Sequence, residues 1–207
     1  VTRVVLAGGG ASQGKPSGQA DGGWDKAMMA VRDSFEMGRY TVAVSQYRKA
    51  ANLALVRDDG TAVAEAGYDL AVSQLAANTP AEALQTTQAT RQAVQLRGGG
   101  AQFSLDLVEA ASLYRLGHYA QAIPLAVHAM LSPETEEAAR AALVLGLAAD
   151  AQADQAELQN AASYLNALKA PLSVTQQADR AEIQARVLRQ SNPALAEQLA
   201  EDAAALR

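Results

Sequence analysis

One glycine-rich stretch near the start of the sequence has the spacing of a phosphate-binding loop. Gly9 is followed, after four residues, by Gly14 and Lys15, and in such loops backbone amides and the lysine surround the phosphates of a nucleotide. The motif also needs a serine or threonine after the lysine to hold magnesium, and Pro16 stands there. No alternation of strands and helices follows that would build the accompanying parallel sheet. Nucleotide binding through Gly9–Lys15 is therefore an alternative hypothesis, and we expect no cofactor.

The other residues that could do chemistry do not form a catalytic or metal-binding pattern. The sequence has no cysteine, which excludes thiolate nucleophiles, zinc–thiolate sites and disulfides. The two histidines, His118 and His128, are not at metal-ligand spacing, and no serine lies in a Gly-x-Ser-x-Gly elbow. Glu134, Glu136 and Glu137 lie at an expected helix start, where the helix dipole favours acids. We predict a protein that is not an enzyme, with no catalytic residues and no metal site.

The composition indicates an all-helical protein that does not bind nucleic acid. Hydrophobic residues make up 49% of the 207 residues but aromatic residues only 4%, and much of the apolar content is alanine, the best helix former. Large residues with high strand preference are few. The net charge of −5 provides no basic surface for nucleic acid. No apolar run approaches the roughly 18 residues that a membrane-spanning helix needs.

The first residues differ in composition from the rest of the chain. Residues 1–23 are rich in Gly, Ser and Gln and have too few apolar groups to fix their backbone. We therefore predict a flexible leader over 1–23 and a folded domain over 24–207. Leu6-Ala7-Gly8 resembles the end of a bacterial lipoprotein signal, in which a cysteine follows, whereas Gly9 follows here. This resemblance implies a periplasmic or outer-membrane-associated protein with membrane attachment only through a lost lipid anchor. Otherwise the expected location is cytoplasmic.

A turn signal followed by small residues recurs along the rest of the chain. Met37-Gly38-Arg39-Tyr40 ends one helical pattern and opens the next, and Leu116-Gly117-His118-Tyr119 repeats it. The small residue early in each second helix recurs at intervals of 40, 39, 39 and 35 residues, at Ala43, Ala83, Ala122, Ala161 and Ala196. A period of this length built from helix pairs is typical of a solenoid. A plain helical bundle is the alternative.

The pattern predicts helices that pair in order along the chain. Their predicted bounds are about 24–37, 41–57, 61–77, 80–97, 102–116, 119–131, 133–150, 155–169, 174–190 and 193 to the C-terminus. We predict capping boxes at Thr79–Glu82 and Ser173–Gln176, and a cap at Ser132-Pro133-Glu134. Pro124 lies inside the sixth predicted helix, where proline costs roughly 3 kcal/mol. That helix therefore either begins later or is kinked.

At these residues the sequence resembles the tetratricopeptide repeat family. Gly38, Tyr40, Ala43, Tyr47 and Ala50 match the family's turn and second-helix positions, and the residues after Gly117 match nearly as well. Gly146 falls where the family's first helix carries a small residue. The resemblance implies an all-α, right-handed superhelical solenoid of about five antiparallel helix pairs (TPR-like). Because the period exceeds the family's roughly 34 residues, we expect longer helices or fuller loops.

The resemblance also implies where a partner binds, because the first helix of each pair lines a concave surface that holds a peptide or protein. The partner-binding residues that it implies here are Arg32, Phe35, Tyr68, Leu75, Tyr114 and Arg115. Met28, Val72, Leu107, Ala111, Leu143 and Leu147 share this face, and for Leu107, Leu143 and Leu147 we favour the alternative of ordinary core.

The implied function is a non-enzymatic protein–protein interaction scaffold, in assembly of a bacterial cell-envelope complex. A self-associating structural subunit is a further alternative, and the sequence leaves the oligomeric state open.

Overall fold

The chain is helical along most of the part that the structure describes. The computed structural model describes Met28, residues 31–100 and residues 102–207, and within these ranges it contains no strand. Residues 31–36 form the helical segment α1. The later helices are α2 (Tyr40–Val56), α3 (Gly60–Ala76), α4 (Pro80–Gln95), α5 (Phe103–Arg115), α6 (Tyr119–Ala129), α7 (Thr135–Gln152), α8 (Gln155–Ala167), α9 (Val174–Leu188) and α10 (Pro193–Ala205). The all-α prediction is confirmed. The predicted leader over 1–23, with its Gly9–Lys15 loop, lies outside the described residues.

None of the helices in the described ranges combines the length and the apolar character needed to cross a membrane.

A residue in the left-handed conformation follows each of the first four helices. Gly38, Asp58, Asn78 and Gly98 have φ of 72°, 56°, 65° and 74°. In the first of these turns the amide of Arg39 donates to the carbonyl of Ser34 at 2.9 Å, and the later turns repeat this bond. Such bonds satisfy carbonyls left open at a helix C-terminus. The prediction that Gly38 ends its helix is confirmed.

The regular spacing of these turns explains the long repeat. The left-handed residues at 38, 58, 78 and 98 are spaced so that one helix and its turn occupy 20 residues. α2 and α3 have 17 residues each and α4 has 16, so the longer helices that we expected are present in these repeats, whereas α5, α6, α8 and α10 have only 11 to 13 residues. All five alanines that mark the period are buried, namely Ala43, Ala83, Ala122, Ala161 and Ala196.

One of the two predicted capping boxes is present. The Gln176 amide donates to Ser173 Oγ at 3.1 Å, and the Ser173 amide donates to Gln176 Oε1 at 3.0 Å. The prediction of a box at Thr79–Glu82 is wrong, since the Thr79 side chain makes no capping bond. Its hydroxyl donates instead to the carbonyl of Gln74 at 3.1 Å. The Thr79 hydroxyl therefore bonds to the end of α3, although we expected it to cap the start of α4.

Two predictions next to prolines need correction. α7 begins at Thr135 and not after Ser132. The Ser132 hydroxyl accepts a hydrogen bond from the Glu134 amide at 3.2 Å, so it orders the turn before the helix. Pro124 is exposed in the second turn of α6. The alternative that this helix begins after Pro124 is therefore wrong, and the kink stays a prediction.

The chain divides into two compact units, and the boundary falls inside α5. Unit 1 is Val1–Ser112 and unit 2 is Leu113–Arg207. In unit 1, Met28 and Val31 pack with Tyr47 and residues of α2 and α3 into a buried cluster. In unit 2 the core centres on α7, where residues 141–149 are all buried and which contacts α6, α8 and α9. In each unit, therefore, the first helix of a pair packs against the neighbouring helices.

Two glycines allow close contact between helices. A Cβ added at Gly67 in α3 would lie 2.2 Å from Thr90 Oγ1 in α4. A Cβ added at Gly146 in α7 would lie 2.6 Å from Ile183 Cδ1 in α9 and 3.2 Å from Ala161 Cβ in α8. Because real Cβ atoms do not approach so closely, a side chain at either position would push the helices apart. The prediction of a small-residue position at Gly146 is confirmed.

Candidate functional site

Helix α3 is buried along most of its length, yet three polar or aromatic side chains in its middle keep some exposure. Nine of its 17 residues are buried. The partly exposed residues are Glu65, Tyr68 and Asp69, whose i, i+3 and i+4 spacing places them on one face. Burying charged side chains is unfavourable unless they are paired, so the partners of these carboxylates determine what the face can do.

The side chains around this face form what we call the α3 ionic cluster, made of Arg32, Tyr47, Glu65 and Asp69. Arg32 Nη2 donates to Glu65 Oε1 at 2.7 Å. The Arg32 guanidinium also donates to the Tyr47 side chain, and the Tyr47 hydroxyl donates to the Asp69 carboxylate. The cluster therefore connects α1, α2 and α3 through polar bonds.

Asp69 is poorly satisfied within this cluster. Its Oδ2 atom is buried, and no donor among the described residues bonds to it. Burial raises the pKa of Asp69, Arg32 lowers it, Glu65 raises it and the bond from Tyr47 lowers it, with a net pKa of about 6. Burial also raises the pKa of Tyr47, and the nearby Asp69 carboxylate adds to that increase. One arginine faces two carboxylates here, so negative charge is in excess when both are ionised.

A second ionic cluster joins α4 to α5 within unit 1. Arg91 Nη2 lies 2.6 Å from Asp106 Oδ1 and 2.7 Å from Glu109 Oε2. Gln88 Nε2 also donates to Glu109 Oε1 at 3.2 Å. Burial opposes the charge of Arg91, but hydrogen bonds to the two carboxylates outweigh burial and raise its pKa. Both carboxylates therefore bond directly to one guanidinium, which makes this cluster a link between helices.

Unit 2 contains a larger ionic network, which we call the α9 network. Asp179 is 1% exposed and lies 3.2 Å from Arg140 and 3.4 Å from Arg207. Burial raises the pKa of Asp179 although both arginines lower it. The members are four arginines and four acids, namely Arg140, Arg186, Arg189 and Arg207 with Glu136, Asp150, Asp179 and Glu182. Positive and negative charges are therefore balanced in this network.

Aromatic pairs lie across two of the tight turns. The rings of Phe35 and Tyr40 meet edge to face on either side of Gly38, with centroids 5.2 Å apart. Tyr114 and Tyr119 lie on either side of Gly117, with tilted rings whose centroids are 5.8 Å apart. Burial raises the pKa of Tyr114, and the nearby Arg186 lowers it. Part of the ring surface of Phe35 and of Tyr114 therefore contacts the aromatic ring on the other side of the turn.

The structure leaves five of the six predicted partner-binding residues at least partly exposed, namely Arg32, Phe35, Tyr68, Tyr114 and Arg115. Leu75 is only 2% exposed, so its side chain offers no surface to a partner. The neighbouring aliphatic positions are buried as well: Met28, Val72, Leu107, Ala111, Leu143 and Leu147. The alternative that Leu107, Leu143 and Leu147 belong to the core is therefore confirmed.

The sequence reasoning did not identify the carboxylates of the α3 ionic cluster. Glu65 and Asp69 lie on either side of the predicted Tyr68 face at i and i+4 spacing, a signal that could have placed them beside it. Their pairing with Arg32 depends on how α1 packs on α3, which no local pattern shows. Within the described ranges, no group of His, Cys, Asp and Glu side chains is arranged to hold a metal ion.

Comparison with known proteins supports the fold. No family model and no curated protein matches the sequence. Among solved structures, the chain is similar to one described as "MamA RS-1 ArsTM double mutant", with a TM-score of 0.59. The likeness covers 91% of this chain and 96% of that chain, at 14% sequence identity. MamA is built of tetratricopeptide-like helix pairs.

The chain has a tetratricopeptide-like fold. The turns and buried alanines on which the sequence resemblance was based are the features that define its helix pairs. At 14% identity the likeness concerns the fold alone.

Proposed function

We propose that this protein is a non-enzymatic interaction scaffold that binds a protein or peptide partner on the first helices of its pairs. The observation that supports this most directly is the face of α3. Glu65, Tyr68 and Asp69 stay partly exposed in the middle of a helix in which nine of 17 residues are buried. Charged groups in such a position stabilise a core poorly. A tyrosine beside charged side chains suits peptide recognition, because the ring supplies contact area and the charges fix its orientation.

The tetratricopeptide-like fold adds support, because stacked helix pairs place the first helices of successive repeats side by side. A partner can then contact several repeats at once, which increases the contact area without a deep pocket. Arg32 adds a forked donor beside Tyr68, and such donors bind carboxylates and carbonyls with defined geometry. The scaffold therefore has both the apolar and the polar groups that an extended peptide needs.

Photo-crosslinking tests this proposal at single positions. A photoreactive benzoyl-phenylalanine is placed at Tyr68 and, as a control, at Asn52, which is exposed on α2. We expect cross-linked protein adducts at Tyr68 and not at Asn52, in cells that produce the protein naturally. Adducts only at Asn52, or none at either position while circular dichroism shows an intact fold, would count against binding on α3.

We also propose that the scaffold acts in a bacterial cell-envelope complex, in the periplasm or at the outer membrane. The support is the lipoprotein-like Leu6-Ala7-Gly8, which lies outside the described residues. Fractionation of the native cells with an antibody to the chain tests this. We expect recovery with periplasm or outer membrane, and recovery with the cytosol contradicts the location while leaving partner binding open to its own test.

A further inference from the structure

The α3 ionic cluster lacks the positive charge that would balance it. Among the described residues Arg32 is its only cation. It faces both Glu65 and Asp69, and its side chain is 45% exposed. The α9 network, by contrast, has an arginine for each of its acids. The carboxylates of the α9 network are therefore neutralised, whereas one carboxylate of the α3 ionic cluster is not.

A second observation shows that the surroundings of Asp69 are short of hydrogen-bond partners. Ser73 lies one turn beyond Asp69 in α3 and is fully buried. Among the described residues, neither Ser73 Oγ nor Asp69 Oδ2 has a hydrogen-bond partner. Residues at i and i+4 lie on the same helix face, and buried polar atoms are nearly always bonded. Two unbonded oxygens one turn apart therefore show that this face of α3 has fewer donors than its acceptors can use.

We propose that this position receives a basic side chain of the protein partner, a lysine ammonium or an arginine guanidinium, which bonds to Asp69 and Glu65. The inference rests on the proposed function and gives the partner a chemical identity. The terminal torsion of an aspartate is broad, so a small rotation lets the Asp69 carboxylate accept both from Tyr47 and from a donor arriving at the partly exposed face.

The neighbouring side chains favour a cation over other groups. Tyr68 lies beside Glu65 and Asp69 on the same face of α3, and an ammonium or guanidinium over an aromatic ring gains a further attraction. A cation bonded to Asp69 favours its charged form and so opposes the effect of burial. An acidic side chain would instead meet two like charges. The face therefore selects partners by charge as well as by shape.

Selection from a library of random short peptides, displayed on phage, tests the inference with the full chain. The selection is run in parallel on the wild type, on Asp69→Asn, on Glu65→Gln and on Glu201→Gln. Glu201 is an exposed acid of α10 and controls for the loss of one negative charge. We expect Lys- and Arg-rich peptides from the wild type and from Glu201→Gln. One such peptide should bind Asp69→Asn about tenfold more weakly, since a charge-assisted hydrogen bond is lost.

The outcomes separate this inference from the proposed function. Enriched peptides without an excess of Lys or Arg, or a basic peptide that binds Asp69→Asn and wild type equally, would overturn the inference and leave the scaffold proposal standing. Failure to enrich any peptide on the folded chain counts against both. If Asp69→Asn does not fold, Glu65→Gln decides the question, because its side chain is 30% exposed and its change disturbs the core less.

Discussion

The α3 ionic cluster of unit 1 and the α9 network of unit 2 use the same residue types for different purposes. In the α9 network, Asp179 is almost fully buried between Arg140 of α7 and Arg207, which follows α10. In the α3 ionic cluster, Asp69 shares one half-exposed arginine with Glu65 and keeps an unbonded oxygen. The charges of the α9 network therefore hold helices together, whereas those of the α3 ionic cluster are the ones that we propose another molecule contacts.

Removing one arginine from each cluster should have unequal effects on stability. Arg140→Ala leaves Asp179, which is 1% exposed, with one partner fewer, and breaking such a buried pair costs about 3 kcal/mol. Arg32→Ala removes a side chain that is 45% exposed, and we expect a loss of less than about 1 kcal/mol. Urea unfolding near neutral pH measures both. Equal losses would mean that the two clusters are structurally equivalent.

The pH dependence of stability should differ between the wild type and Asp69→Asn. The pKa of Asp69 is about 6 in the folded chain against an ordinary 3.8. Between these values the folded chain binds a proton that the unfolded chain has lost, so this carboxyl makes the free energy of unfolding decrease as pH rises. Asp69→Asn should therefore be more stable than the wild type at neutral pH, by up to about 3 kcal/mol.

The advantage of Asp69→Asn should disappear below about pH 4, where the carboxyl is protonated in both states. Urea unfolding of the wild type and of Asp69→Asn, from below pH 4 to neutral pH, measures this difference in stability. Glu201→Gln is the control for net charge. If the free energies of unfolding of the two proteins differ by the same amount at every pH, Asp69 has the same pKa in the folded and unfolded chains, as an exposed carboxyl does.

Alanine at the two helical glycines should also distinguish the units. At Gly67 the added Cβ meets Thr90, including its Cβ at 2.8 Å, so we expect a loss of about 2 kcal/mol. At Gly146 the nearest atom is the flexible end of Ile183, so the loss should be nearer about 1 kcal/mol. The double variant Gly67→Ala/Thr90→Ala removes Oγ1 and Cγ2 of residue 90 but keeps its Cβ, so it should recover part of the stability. No recovery in thermal unfolding would mean that the contact with Thr90 does not cause the loss.

The smallest expected difference concerns two residues at helix starts. Ser173→Ala in unit 2 removes a complete capping box and should cost about 1 kcal/mol. Thr79→Ala in unit 1 removes a hydroxyl that makes no capping bond, so we expect a change of only a few tenths of a kcal/mol. Guanidinium unfolding of each variant against the wild type checks this order. A larger loss from Thr79→Ala would show that its bond to Gln74 matters more than a cap.

Local patterns were sufficient to predict the helix pairs. Gly38 needs a left-handed backbone, and alanines at a regular period need close neighbours, so both can be recognised in the sequence. The turns at Asp58, Asn78 and Ala153 have the same left-handed backbone without glycine, and the pattern did not reveal that. The capping prediction at Thr79 failed because the bond of its hydroxyl to Gln74, a backbone group of the preceding helix, was not considered.

The candidate site could be predicted only in part. Helical phase placed Arg32 and Tyr68 correctly on exposed positions, but it also selected Leu75, which is buried. α3 is covered on most sides by neighbouring helices, so its periodicity does not distinguish a core face from a binding face. The charge excess around Asp69 arises from residues on three helices, and its recognition required their packing.

Binding of a basic peptide as a function of pH tests the idea that Asp69 is available to a partner most directly. With a pKa of about 6, Asp69 is mostly neutral at pH 5 and ionised above pH 7. We therefore expect a selected lysine-rich peptide to bind up to about tenfold more tightly above pH 7 than at pH 5. Calorimetric titration should show this increase in the wild type and in Glu201→Gln, but not in Asp69→Asn. An affinity that does not change with pH, or the same change in Asp69→Asn, would contradict the role of Asp69.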